Sequence, residues 1–408
     1  MSIGRDTPAI RLTNAPLSAR LKRPMGKNRL PLALLVAAVV LCSCLFLLRG
    51  RLGMVDFEVN YEAGRRIRAG ETLYRAEDGH YQFKYPPFSA LLYVPISLLP
   101  MDAAKTAWFL IVLGSTVLVF HLAFTLARPE ARQVLLLRIA PPLILAKCYL
   151  RELSLGQINA LITALMLGMV LLLVRAGSRP SPGREGTGGA LWGLSTALKP
   201  YAAIFLPYWV LRRKWRALGT GLAALGLAFL GPALYYGFSG NLIVHREWVG
   251  SLSRSTPRLF DTQDNISLIA MFTKWTGRPG LSGSLYLLSV AALALGFLWL
   301  IARGRKVKDP MVLESGLLLA LIPLISPLGW DYTLLSSVLV IMLVLKHYEA
   351  LSGPCRVFLI VNFCVFGLSL FDLMGRELYA GFMALSIPTV NALVFIGTAA
   401  WLRVREMA

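Results

Sequence analysis

The chain has 408 residues, 56% of them hydrophobic and only 15% charged, with a formal net charge of +21. This excludes an ordinary soluble domain, which would lack the polar surface to stay wetted. Lys and Arg gather in short segments between apolar runs, so the charge points to membrane orientation and anionic lipid rather than to nucleic acid.

Apolar runs of about 20 residues, the length that crosses hydrocarbon as helix, recur from end to end. The expected fold class is an all-α polytopic membrane protein, because open sheets cannot satisfy their edges in lipid. Residues 1–29 read as a basic cytoplasmic tail, 30–402 as one membrane-embedded domain and 403–408 as a second cytoplasmic tail. The first run, 30–48, is long and has no clear small-residue cleavage site, so it reads as an uncleaved span rather than a signal peptide.

A first extracytoplasmic loop is expected over 51–103, with Asp56 emerging just past the membrane boundary. Within it, Val59, Ala63, Ile67 and Gly70 sit near helical spacing, which predicts an amphipathic helix lying at the interface. Pro86 and Pro87 forbid regular helix just before them, and FSALLYVPISLLP then reads as a juxtamembrane or half-inserted helix.

Spans follow at 104–126, 134–146 and 158–174, with KCYLRELSLGQIN as an outer turn and SRPSPGREGTGG as a flexible inner loop. The segment 191–211 has basic clusters on both sides, at Arg175–Arg184 and at Arg212–Arg216. A hairpin with Lys199 at its outer tip keeps both clusters inside, and an ionisable residue in an apolar segment is a functional candidate by default. A span at 220–238 leads to a second large extracytoplasmic loop, 239–284. Spans at 285–301, 314–325, 334–345, 357–371 and 379–401 complete about twelve crossings, some short or half-crossing, with the basic turn ARGRKVKDP inside and SPLGWDY outside.

This topology collects unusual residues on one face. They are Asp56, Glu58, Tyr61 and Arg65; Arg151, Glu152, Gln157 and Asn159; Lys199; Arg254, Arg258, Asp261, Asp264 and Asn265; and Trp330, Asp331 and Tyr332. Aromatic faces stack on sugars, carboxylates bind or deprotonate hydroxyls, and a cation neutralises a departing phosphate. No nucleotide sugar is available outside the membrane, so a sugar donor there is carried by lipid, as on polyprenyl phosphate. Attack at C1 by an acceptor hydroxyl needs one general base, and an inverting displacement uses one such carboxylate. Asp56 is placed for that role. Position alone also suits plainer roles: a boundary residue for Asp56, a snorkelling side chain for Lys199, an interface ion pair for Arg151 with Glu152, interhelical hydrogen bonding for Gln157 and Asn159, and an interfacial ring for Trp330.

The phrases VDFEVNYEAGRRIRAGETLY, YQFKYPPFSALLYVPISLLP, LGQINALI, WGLSTALKPYAAIFLPYWVLRRKWRA, DNISLIAMF and SPLGWDYTLL occur in that order over about residues 50–346. Together they resemble glycosyltransferase family 87, the polyprenyl-phosphate-mannose-dependent membrane mannosyltransferases of GT-C fold. The resemblance implies an inverting transfer of a hexose, mannose by analogy, from a polyprenyl-phosphate donor to a lipid-linked or cell-envelope glycan acceptor, in the cell membrane with the site facing outward. It implies that Asp56 is the catalytic base. Lys199, Arg254, Arg258, Tyr332, Gln157, Asn159 and Asn265 are the implied contacts for donor phosphate and sugar. Glu58, Tyr61, Tyr85, Trp330 and Asp331 are the implied residues shaping the loops or the acceptor site. Asp331 and Tyr332 stand where members often carry histidines, which shifts phosphate binding towards Lys199, Arg254 and Arg258.

No cofactor is expected, and a divalent-metal requirement stays open: the outer carboxylates could hold such an ion but are not spaced as a recognisable site. The four histidines are scattered, and Cys42, Cys44, Cys148, Cys355 and Cys364 match neither a zinc site nor a disulfide framework. A transporter or flippase of lipid-linked sugar is the alternative reading, and would more often show paired halves and broken helices near the midplane. No internal repeat is visible. A catalytically dead scaffold rests only on the departures near Tyr332.

Overall fold

The structure, a computed structural model, describes residues 53–178, 181–303 and 310–405, together with isolated helical positions between 33 and 45. The expected tail 1–29, most of the first span at 30–48, residues 304–309 of the basic turn ARGRKVKDP and the last three residues lie outside the described residues.

Among the described residues the chain is helical throughout, with one isolated bridge between Asn265 and Trp330. The helices are α1 (Val55–Arg68), α2 (Pro87–Tyr93), α3 (Met101–Ala127), α4 (Val134–Ile144), α5 (Ala146–Leu155), α6 (Asn159–Ser178), α7 (Pro182–Leu198), α8 (Phe205–Leu211) and α9 (Trp215–Leu230). They continue as α10 (Ala233–Ser255), α11 (Leu268–Thr276), α12 (Pro279–Arg303), α13 (Met311–Ile325), α14 (Val338–Lys346), α15 (Gly353–Leu368), α16 (Phe371–Ala384) and α17 (Ile387–Arg405).

Four of the described helices are long and apolar enough to cross a bilayer, namely α3, α6, α12 and α17, and the number rises to seven if each of three bent helix pairs counts as one span. The centre of the bundle is α14, in which every residue from Val338 to Leu345 is buried. At the other extreme α12 buries only Ser282 and Leu300. A helix that apolar, with nearly all of its surface outward, faces lipid.

Several expected boundaries move, each for a local reason. The segment SRPSPGREGTGG is not a flexible loop from Pro182 onward: Ser181 accepts a hydrogen bond from the Arg184 N–H, Pro182 occupies the first turn, and α7 runs on to Leu198. Its glycines serve packing. A Cβ at Gly189 would lie 2.1 Å from the Ala217 carbonyl oxygen of α9, so the two helices approach backbone to backbone. The expected outer turn KCYLRELSLGQIN is helix α5 as far as Leu155, leaving only Gly156 to Ile158 as the turn.

The span expected at 220–238 stops at Leu230, where the chain bends by 94° into α10, so much of the second large loop is helical. The span expected at 379–401 breaks between α16 and α17, with Ser386 at φ 54°. The break at Lys199 stands where the sequence puts it. Lys199 is extended (φ −154°, ψ 124°), as a residue before proline should be, and Pro200 opens a short 3₁₀ segment, Pro200–Ile204. Helix α1 also forms, with Ala63 and Ile67 of the expected stripe buried, but the buried face continues through Phe57, Asn60 and Gly64 rather than through Val59 and Gly70. Phe57 sets that rotation by stacking on Trp108, with centroids 5.9 Å apart.

One end of the bundle, expected to carry only charge anchors, holds a buried ion-pair group. Glu314, fully buried on α13, accepts a hydrogen bond from Tyr208 Oη (2.7 Å), pairs with Arg212, and pairs with the equally buried Arg403 of α17 (3.0 Å). These contacts tie α8, α13 and α17 together.

The close α7–α9 approach makes a prediction. Gly189→Ala should lower the melting temperature of the purified protein, at a cost of about 1–3 kcal/mol, because backbone cannot yield as a side-chain tip can. An unchanged melting temperature would show that the helices are not packed in this way.

Candidate active site

Helix α1 begins at Val55 with Asp56 in its first turn, where the unpaired N–H groups favour an acidic side chain. The start of the helix is fixed from outside, since the Met54 N–H donates to the Ser154 carbonyl oxygen (2.9 Å). Helix α5 ends on Gly156 in the left-handed region (φ 68°). A Cβ at that position would lie 2.6 Å from Cβ of Phe57, so glycine lets the α5–α6 turn press against α1. Trp108 Nε1 donates to the Gly156 carbonyl oxygen (2.7 Å) and locks the turn. As a result Gln157, the next residue, faces Asp56.

From there a chain of hydrogen bonds runs inward. Gln157 Nε2 donates to Asp56 Oδ2 (2.7 Å) and to Tyr332 Oη (3.1 Å). Gln157 Oε1 accepts from Tyr85 Oη (2.8 Å) and from Asn159 Nδ2 (3.3 Å). Asn159 Nδ2 also donates to Glu152 Oε2 (2.8 Å), while Asn159 Oδ1 accepts from Lys199 Nζ (2.7 Å). The Lys199 ammonium lies over the rings of Tyr85 (4.9 Å) and Tyr201 (4.5 Å). It is 7% exposed, and no carboxylate among the described residues lies within ion-pairing distance of it. Its partners, the Asn159 carbonyl oxygen, the Tyr201 side chain and the ring faces, are all neutral, so this buried cation is short of negative charge.

A second polar group lies beside the first. Arg151 donates to both oxygens of Asp331 (3.0 and 3.1 Å) and to Asp264 Oδ2 (2.6 Å), and its guanidinium faces the Tyr332 ring at 5.7 Å. Asp331 N–H donates to the Asp264 carbonyl oxygen (3.2 Å). Two separate turns are thereby joined to helix α5 at one arginine. Outside the helices, burial lowers the Lys84 ammonium from its usual range while the nearby Asp56 carboxylate works against that shift.

The model of glycosyltransferase family 87 matches residues 83–327, well over half of the chain. The chain belongs to glycosyltransferase family 87. A polyprenol-phosphate-mannose-dependent alpha-(1-2)-phosphatidylinositol mannoside mannosyltransferase of Mycobacterium tuberculosis is 31% identical over 181 residues, a match covering 41% of this chain and 40% of that relative. Among solved structures, that of ArnT from Cupriavidus metallidurans bound to undecaprenyl phosphate aligns over 93% of this chain and 78% of its own, at 13% identity and a TM-score of 0.41.

The family 87 match includes Tyr85, Gln157, Asn159, Lys199, Arg254, Arg258 and Asn265, and leaves out Asp56 and Trp330 to Tyr332. Asp56 and Tyr332 join the others through Gln157. Glu58 pairs instead with the buried Lys105 (2.5 Å), and Tyr61 Oη donates to the Leu99 carbonyl oxygen (2.9 Å). Asn265 is fully buried and its amide is occupied by backbone. Its Nδ2 donates to the carbonyl oxygens of Leu259 and Pro327, and its Oδ1 accepts the N–H groups of Ser267 and Gly329. It stitches the loop to the turn bearing Trp330, its bridge partner. Arg254 and Arg258 are exposed, and neither is hydrogen-bonded into the Asp56–Lys199 chain among the described residues.

Tyr201 and Lys84 went unrecognised in the sequence, while Arg151 and Glu152 were collected on the polar face but read as an interface pair. Arg151 and Glu152 do not pair with each other; they head two different networks. Tyr201 supplies a ring for Lys199, and its place two residues after a buried lysine was the available signal. Lys84 sits near Asp56, just ahead of the Tyr-Pro-Pro unit.

The Arg151 junction yields a prediction. Arg151→Met leaves the buried Asp331 without its cation and should destabilise the protein by roughly 2 kcal/mol, discounted for the partial exposure of the arginine. Adding Asp331→Asn should recover part of the loss in melting temperature. Equal stability of Arg151→Met and the unaltered protein would contradict the junction.

Proposed function

We propose that the protein transfers a hexose, mannose in the simplest case, from polyprenyl phosphate to a lipid-linked or envelope glycan acceptor at the extracytoplasmic face, with inversion at C1. The observation that carries this reading is that Asp56 and Lys199 stand at the two ends of one hydrogen-bonded chain. One end offers a half-buried carboxylate acceptor, the other a buried ammonium short of negative charge. The donor class is taken from the mycobacterial relative, whose name specifies polyprenol-phosphate-mannose dependence.

The chemistry needs little else. An acceptor hydroxyl gives its proton to Asp56 as its oxygen forms the bond to C1. The bond from C1 to the phosphate oxygen breaks, and its electron pair leaves with the polyprenyl phosphate. The extra negative charge develops beside Lys199, in surroundings poor in water, where a fixed cation is worth most. Gln157 keeps one oxygen of Asp56 engaged through its Nε2 and so leaves the other to meet the hydroxyl. Tyr85 and Tyr332 engage the same amide through their hydroxyls and hold it towards Asp56.

The purified protein should form a glycosylated lipid, identified by mass, from a defined polyprenyl-phosphate hexose and a membrane-lipid extract. Asp56→Asn should lower kcat by about 100-fold or more while the protein melts as before. Lys199→Met should raise KM for the donor. Asp56→Asn working at the wild-type rate would sink the base assignment, and no product from any polyprenyl-phosphate hexose would sink the donor class.

A further inference from the structure

We infer that Glu152 is a positioning residue for both ends of the site, holding Asp56 and Lys199 in their working states without touching either; this rests on the reading just proposed. Glu152 is fully buried and spends one oxygen on each of two donors. Its Oε1 accepts the Ala160 N–H at the start of α6, and its Oε2 accepts Asn159 Nδ2, both at 2.8 Å. The tight turn at Gly156 creates this geometry by folding the end of α5 back onto the first residues of α6.

Both oxygens of Glu152 are engaged as acceptors of N–H donors, and that fixes the direction of every bond that follows. Asn159 must present its NH₂ to Glu152, so its Oδ1 faces Lys199. A flipped Asn159 would set oxygen against carboxylate and NH₂ against ammonium, two repulsions at once. The same NH₂ reaches Gln157 Oε1, which the Tyr85 hydroxyl also engages. Gln157 must then aim its Nε2 at Asp56. Polarity set at Glu152 therefore emerges two side chains away as a donor pointed at the base.

The second consequence concerns charge. Glu152 lies one amide away from Lys199, close enough to offset a buried ammonium and too far to bond to it. A direct ion pair would occupy the hydrogens that a phosphate needs. The asparagine spacer keeps the cation tolerated and available.

The test compares two variants of the full-length protein in lipid discs. Their melting temperatures, kcat, donor KM and binding of undecaprenyl phosphate are measured beside wild type. Glu152→Gln puts a donor where only an acceptor fits, and should lower kcat by about tenfold or more through misdirected Asn159 and Gln157. Glu152→Gln combined with Asn159→Asp restores the buried negative charge and the melting temperature, but places it directly on Lys199. That double variant should bind undecaprenyl phosphate about tenfold or more weakly, a change a purely structural role would not produce.

If the single variant fails to fold, the double variant carries the test alone. Wild-type kinetics in Glu152→Gln, or wild-type binding in the double variant, overturns the inference. Failure of the proposed function looks different: wild type itself makes no product from any donor. The binding comparison then still reports on the spacer.

Discussion

The site depends on a single close approach, that of the Gly156 turn against the first turn of α1. The hydrogen-bonded chain from Asp56 to Lys199 is hung on it. Because no side chain stands at Gly156, Phe57 can sit against the turn, Trp108 can bond its carbonyl, and Gln157 is delivered to Asp56. The same turn brings Glu152 to the head of α6. One backbone conformation thus places a base, an amide relay and a buried carboxylate at once.

The rest of the fold keeps that turn rigid and dry. Helices α13 and α14 form an apolar centre with almost no exposed surface, and the fully buried Glu314, near the start of α13, ties α8, α13 and α17 together. Beside the site, Arg151 joins the α5 helix to the turns bearing Asp264 and Asp331. Buried charge is costly unless it is paired, and both of these groups are paired. Lys199 departs from that pattern: it is buried, held by neutral partners, and its nearest compensating charge is one amide distant. A protein tolerates such a group where a ligand supplies what is missing.

Much of this was legible in the sequence, and the part that was not has physical reasons. Asp56, Gln157, Asn159 and Lys199 stand out because polar residues among apolar runs are expensive, and the structure links all four. The proline after Lys199 correctly marked the break. Glu152 was hidden by its neighbour Arg151, which looked like an ion-pair partner. Adjacent residues on a helix diverge by about 100°, so once α5 is seen to be helical the two must face different partners. Asn265 and Glu58 carry polar groups that read as ligand contacts, yet long-range packing gives them protein partners that local sequence cannot name. SRPSPGREGTGG has the composition of a linker, and only the facing backbone of α9 shows why its glycines belong in a helix. The bent helices were misjudged because hydropathy measures length and not direction.

The most direct measurement of this account is a structure of the protein with polyprenyl phosphate bound in a lipid environment. The account predicts phosphate oxygens at about 3 Å from Lys199 Nζ, with Asn159 still bridging to Glu152 and Asp56 open on the acceptor side. A phosphate bound instead by Arg254 and Arg258, with Lys199 held only by its neutral partners as before, would contradict it.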